Sequence, residues 1–156
     1  MDDSDIGERE ILLRYLNKMR VAVVRASEGL TDKQQRTPGV PSGTNLLGLI
    51  QHLTGVEKHW FQWVFLGQDC DTNDSMDVPA QVTHDEVVAA YRQACARSDE
   101  IVYACPDLSM MAKRANPGED YKCSLRRIVA HMIEETGRHA GHADILRELI
   151  DGATDL

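Results

Sequence analysis

The stretch "HMIEETGRHAGHADILREL" (residues 131–149) reads as a helix with polar residues where leucines are expected. Ile128, Met132, Leu146 and Leu149 set an apolar seam whose steps alternate four and three, the pattern of a helix face buried in a bundle. Continuing that count puts Glu135, His139 and His142 on the seam. A carboxylate and two imidazoles facing a core are costly unless something pairs with them. The stretch therefore predicts a partner for these three side chains.

The 156 residues suffice for one ordinary domain, expected to span 1–156. The net charge of -8, with no cluster of Lys and Arg, argues against nucleic acid and against an anionic membrane surface. Apolar runs are interrupted well before the roughly 20 residues that a membrane span needs. The opening "MDDSDIGERE" is acidic where a signal peptide is basic, so a cytoplasmic protein is expected. Cys70, Cys95, Cys105 and Cys123 form no CxxC pair and are expected to be free thiols.

Four helical segments stand between clear breakers. The first runs from about Ile6 to Ser27, stopping before Gly29. "TPGVPSGT" then breaks the helix, and Thr44 or Ser42 is expected to cap a second helix from about Asn45 to Leu66. The third starts at "THDE", where Thr83 and Glu86 form a capping box, and runs to Pro106. The fourth starts near Ser124 and ends at Gly152. "SMMAKRANPGEDYKC" has room for irregular structure or one short hairpin. The sum is an all-α four-helix bundle. Its loops, roughly 15 to 20 residues, are long for an up-down arrangement, so at least one connection is expected to cross over.

In the second helix Leu46, Leu49, Ile50, Leu53, Val56, Trp60 and Trp63 form the expected core stripe, with His52 at its flank. Glu135 and His139, one turn apart, project the same way. Bundles build metal sites from such side chains on facing helices. His52 from helix two with Glu135 and His139 from helix four would leave open positions on the ion, as catalytic sites do. The donors suit zinc, iron(II), nickel or manganese, zinc being the first choice. Plainer readings stand beside this one: His52, His59, His84 and His131 as ordinary hydrogen-bonded histidines, and Glu135 pairing with His139 or Arg138 in solvent. Gly137 and Gly141, each costing about 1 kcal/mol relative to Ala inside a helix, suggest a close approach of backbone or ligand, or helix packing.

"IQHLTGVEKHWF" and "EETGRHAGHADILRE" resemble the signature stretches of the DinB/YfiT-like superfamily of metal-binding four-helix bundles, and most of all its actinobacterial mycothiol-dependent branch. The resemblance implies that His52 is the ligand of the second helix and that Glu135 and His139 are the pair of the fourth. Many members have His at the place of Glu135; the mycothiol-dependent maleylpyruvate isomerase has Glu there. His142 falls where many members have Gln, which implies a pocket-lining role, the alternative being a ligand in place of Glu135.

The function implied is a metal-dependent thiol S-transferase, in a detoxification role. Mycothiol would take the open metal position as thiolate and attack an electrophile lodged against Trp60 and Trp63, with His142 or His59 relaying a proton. A metal-dependent hydrolase uses the same site with water as nucleophile. A third possibility is a metal-binding or stress-associated bundle without catalysis, acting by association, for instance as a homodimer.

Overall fold

A computed structural model describes residues 6–156. All its regular elements are helical, and no strand occurs among the described residues. Helix α1 spans Glu8–Ser27, with Glu8 and Glu10 placed favourably at the positive end of its dipole. A short helix, α2 (Asp32–Arg36), opens with a capping box between Thr31 and Gln34 inside what the sequence suggested was loop. Helix α3 (Leu46–Glu57) continues directly into a π-helical segment, Lys58–Phe65. Helix α4 is His84–Ala104, opened by the expected Thr83–Glu86 capping box. Helix α5, Leu125–Asp151, is capped by Ser124 and closed by Gly152 at φ 76°.

The cap of α3 is Asn45, not Thr44 or Ser42: its Oδ1 accepts from the Gly48 N–H at 2.8 Å. Asn45 is the residue next to the first helical position, the one whose side chain reaches the third amide of the turn. The segment read as a possible hairpin holds only an isolated antiparallel bridge, Met111 with Ser124.

Polar contacts fix the directions of the long helices. Arg126 meets Glu8, and Arg147 donates to the carbonyl of Ala26, so α5 runs parallel to α1. Ser27 meets His84 and Arg20 meets Asp99, so α4 runs antiparallel to α1. Glu57 lies at Arg20 while Leu46 and Leu49 pack with Ala26, so α3 is antiparallel to α1 as well. Helices α3 and α4 are therefore parallel, and residues 66–83 must return along α3 before α4 begins. This is the crossover that the loop lengths required.

Two buried stripes differ from their sequence reading. In α5 the buried residues are Leu125, Ile128, Val129, Met132, Thr136, Ala140, Ala143 and Leu146, while Leu149 is 65% exposed. An α-helix drifts about 20° per heptad against a strict four-three count. Counted from Ile128, the drift carries Leu149 into solvent, leaves Glu135 and His139 on the flank of the seam, and exposes His142. In α3 the stripe turns at the π segment: Glu57, Phe61, Val64 and Phe65 are buried, whereas Val56, Trp60 and Trp63 are only partly so. The wider i→i+5 turn, seen in Leu66 N–H bonding to the Phe61 carbonyl at 3.2 Å, moves the inward face round by a residue.

Candidate metal centre

His52 is positioned by the crossover loop. Asp71, Asn73 and Ser75 each accept, through their side chains, the backbone N–H two residues on, at 3.0, 3.0 and 3.1 Å. Such turns hold a loop by its own short polar residues. The loop lies directly on α3 because Gly48 and Gly55 have no side chain: a Cβ on Gly55 would collide with the backbone of Asn73, and one on Gly48 with the carbonyl of Met76. Gln51 ties the loop down through the carbonyls of Ser75 and Asp77 at 2.8 and 3.0 Å. The carbonyl of Asp74 then accepts from His52 Nδ1 at 2.8 Å.

That bond fixes the tautomer of His52. With Nδ1 occupied in this way, Nε2 is the ring nitrogen left to ligate, and it faces Glu135 Oε1, 3.4 Å away. His139 Nε2 lies 3.1 Å from the same oxygen. The ligand atoms of His52, Glu135 and His139 all lie within 4.8 Å of one another, each side chain partly buried. Two imidazole nitrogens and a carboxylate oxygen converging on one point are a donor set that divalent transition metals accept.

Protonation agrees with that chemistry. Burial pushes the Glu135 carboxyl up, but the adjoining His52 and His139 rings outweigh it and leave it below its ordinary value. Burial pushes His139 down and prevails over the attraction of Glu135. Near neutral pH the group is thus a carboxylate beside a neutral imidazole.

His142 is exposed, its Nδ1 3.3 Å from that of His139, outside the three-donor group. Arg138 approaches Glu135 only to 4.0 Å and makes its closer pair with Glu134, at 3.2 Å. Gly141 faces open space and Gly137 makes ordinary contact with Met19, so neither marks the close approach suggested by the sequence; Gly48 and Gly55 do.

A cleft of about 450 Å³ opens beside the donors, lined among others by His52, Val56, His59, Trp60, Asn116 and Glu135. His59 donates from Nε2 to Asn116 Oδ1 at 2.8 Å, which leaves its Nδ1 as an acceptor. Its ring stacks on Trp63, with centroids 5.4 Å apart, and meets Trp60 edge-on. Trp60 lines the cleft. Trp63 does not; it stands behind His59 with the Arg114 guanidinium 4.7 Å from its ring. Asn116 and the Asp74 carbonyl were not foreseen. The alternating Asp, Asn and Ser of "DTNDSMD" signal the loop's turns, but nothing local signals Asn116.

No helix among the described residues is long and apolar enough to cross a membrane. Fold and site together define an all-helical protein with a His, Glu, His cluster between its third and fifth helices. The profile of the family described as Mycothiol-S-transferase matches residues 11–152, and the chain belongs to that family. This bears out the resemblance to the mycothiol-related branch. No curated protein matches the chain.

Proposed function

We propose that the chain is a DinB-like four-helix bundle that conjugates mycothiol to an electrophile, in the cytoplasm, using one divalent metal, zinc by preference, held by His52, Glu135 and His139. The observation that carries this reading is the convergence of three donors: the Asp74 carbonyl holds His52 by Nδ1, and its Nε2 meets Glu135 and His139 with all ligand atoms within 4.8 Å of one another. Family membership supplies the thiol.

A bound divalent cation supplies the charge that keeps a thiol ionised near neutral pH. The protein's part is position and polarity. Asp74 and the crossover loop hold His52. Val56 and the face of Trp60 give the electrophile an apolar wall. His59, held by Asn116 between two indoles, presents Nδ1 as the group that takes or returns a proton at the leaving atom. His142 orients His139 from the solvent side.

The test is metal analysis of the purified protein, followed by conjugation of monobromobimane with and without mycothiol. Turnover should need both metal and thiol. A free thiol of pKa about 8.5 is only a few per cent ionised at neutral pH. At saturating mycothiol the rate should therefore stay nearly flat between neutral pH and that value. A rate that rises in step with free thiolate and survives chelation would sink the proposal, and turnover of an ester without thiol would favour a hydrolase.

A further inference from the structure

Helices α1 and α4 touch only lightly compared with the pairs α1 with α5 and α3 with α4. They are bridged at two levels, by Arg20 Nη1 to Asp99 at 2.7 Å and by Ser27 Oγ to His84 Nε2 at 2.8 Å. A groove of about 430 Å³ is left on this face, and it shares no residue with the cleft of the cation cluster. Val21, Val24 and Ala96 form its walls, Tyr91 and Cys95 its floor, and Arg25 and Arg92 its mouth.

Most polar groups on the floor are already engaged. All three Arg20 nitrogens are engaged, by Glu57, Asn17 and Asp99. The Cys95 thiol donates to Glu57 Oε1 at 3.8 Å. The Tyr91 hydroxyl is different. Tyr91 is 1% exposed, and its hydroxyl lies beside the Cys95 sulfur without a hydrogen-bond partner of good geometry. A buried hydroxyl in that condition carries an uncompensated desolvation cost. Burial holds Tyr91 well above the usual phenol range, so it remains a donor.

The mouth supplies the complement. Arg25 and Arg92 are exposed, and neither has a carboxylate partner among the described residues. The antiparallel register fixed by the two bridges brings them to similar levels across the groove. Glu28 borders the same mouth, so the three charges there sum to a single positive one, a mouth that suits a monoanion above the mutually paired Arg20, Glu57 and Asp99.

We infer that the groove between α1 and α4 is a binding site for a small aromatic carboxylic acid. Its carboxylate sits on Arg25 and Arg92, its ring lies against Val21, Val24 and Ala96, and an oxygen on the far side of the ring accepts from Tyr91. The site is independent of the cation cluster and of the proposed transferase activity.

The probes are para-hydroxybenzoate and benzoate, titrated into the full chain as purified and followed by backbone amide chemical shifts. Para-hydroxybenzoate should perturb residues 20–28 and 91–99. The double variant Arg25→Gln with Arg92→Gln should weaken it by about tenfold or more, the scale of a lost charge-assisted hydrogen bond. Tyr91→Phe should weaken para-hydroxybenzoate several-fold, leave benzoate unchanged, and keep or raise the melting temperature, because it removes an orphan hydroxyl. Absence of perturbation at millimolar acid would overturn the inference. So would perturbation centred on His52 and Glu135, or para-hydroxybenzoate binding unchanged in Tyr91→Phe.

Discussion

Arg20 of α1 grips Glu57 of α3 at two points, Nε to Oε1 at 2.7 Å and Nη2 to Oε2 at 2.8 Å, with the glutamate wholly enclosed. The pair stands where α3 changes to π geometry, and it welds that turn to α1. Removing one partner strands the other charge in the core, so Arg20→Ala or Glu57→Ala should each cost about 3–5 kcal/mol. Arg20→Met combined with Glu57→Leu should cost far less than the two single losses added. Urea denaturation of the four proteins checks this, and additive losses would refute it.

If His52, Glu135 and His139 hold the metal as proposed, His52→Ala, Glu135→Ala and His139→Ala should each strip most of it from the purified protein, as read by elemental analysis. His142→Ala should keep its stoichiometry and weaken affinity by about tenfold or less, the lower end for groups that orient a ligand. If His142→Ala empties the protein while Glu135→Ala does not, the donor set is the three histidines.

Gly55 touches no donor, yet Gly55→Ala should harm the site. The added methyl collides with the backbone of Asn73 and displaces the Asp74 carbonyl from His52. The expected result is a loss of roughly 10–100-fold in metal affinity with every ligand intact. Gly141→Ala, which meets open space, should leave affinity unchanged and favour the helix by up to about 1 kcal/mol. Competition with a chelator measures both.

The capping box of α4 makes a prediction about acid. The Thr83 backbone N–H and hydroxyl bond to the Glu86 carboxylate and hold its pKa below the ordinary 4.5. A carboxyl depressed in the folded state stabilises it above the unfolded value and loses that contribution as pH falls through the lowered one. The melting temperature should therefore drop more steeply below pH 4.5 in the wild type than in Glu86→Gln. Parallel curves would exclude this role.

The helices were legible because their ends are written locally. Thr83 with Glu86, Ser124 and Gly152 each act within one turn of themselves, so a reading of neighbours finds them. The burial of each helix face was less legible. Counting from Ile128 along α5 accumulates angular drift, and by Leu149 the count points into solvent. The π segment has no residue that announces it, so the inward places of Glu57 and Phe61 went to Val56 and Trp60. At the cluster, His52, Glu135 and His139 were readable from spacing and resemblance. Asp74, Gly55 and Asn116 were not, because each acts on a residue far along the chain or in another element.

The crossover loop secures its shape through Asp71, Asn73 and Ser75 and through its seat on Gly48 and Gly55. The ordering entropy of the chain around His52 is thus met during folding itself. An ion reaching these donors has only to shed its own water, unlike one that must gather a loose finger of polypeptide about itself. Stripping and reloading should then be fast and repeatable, leaving the far-ultraviolet spectrum and the cooperativity of unfolding untouched. On the proposed reading, the metal-free chain should stay folded and resist proteolysis.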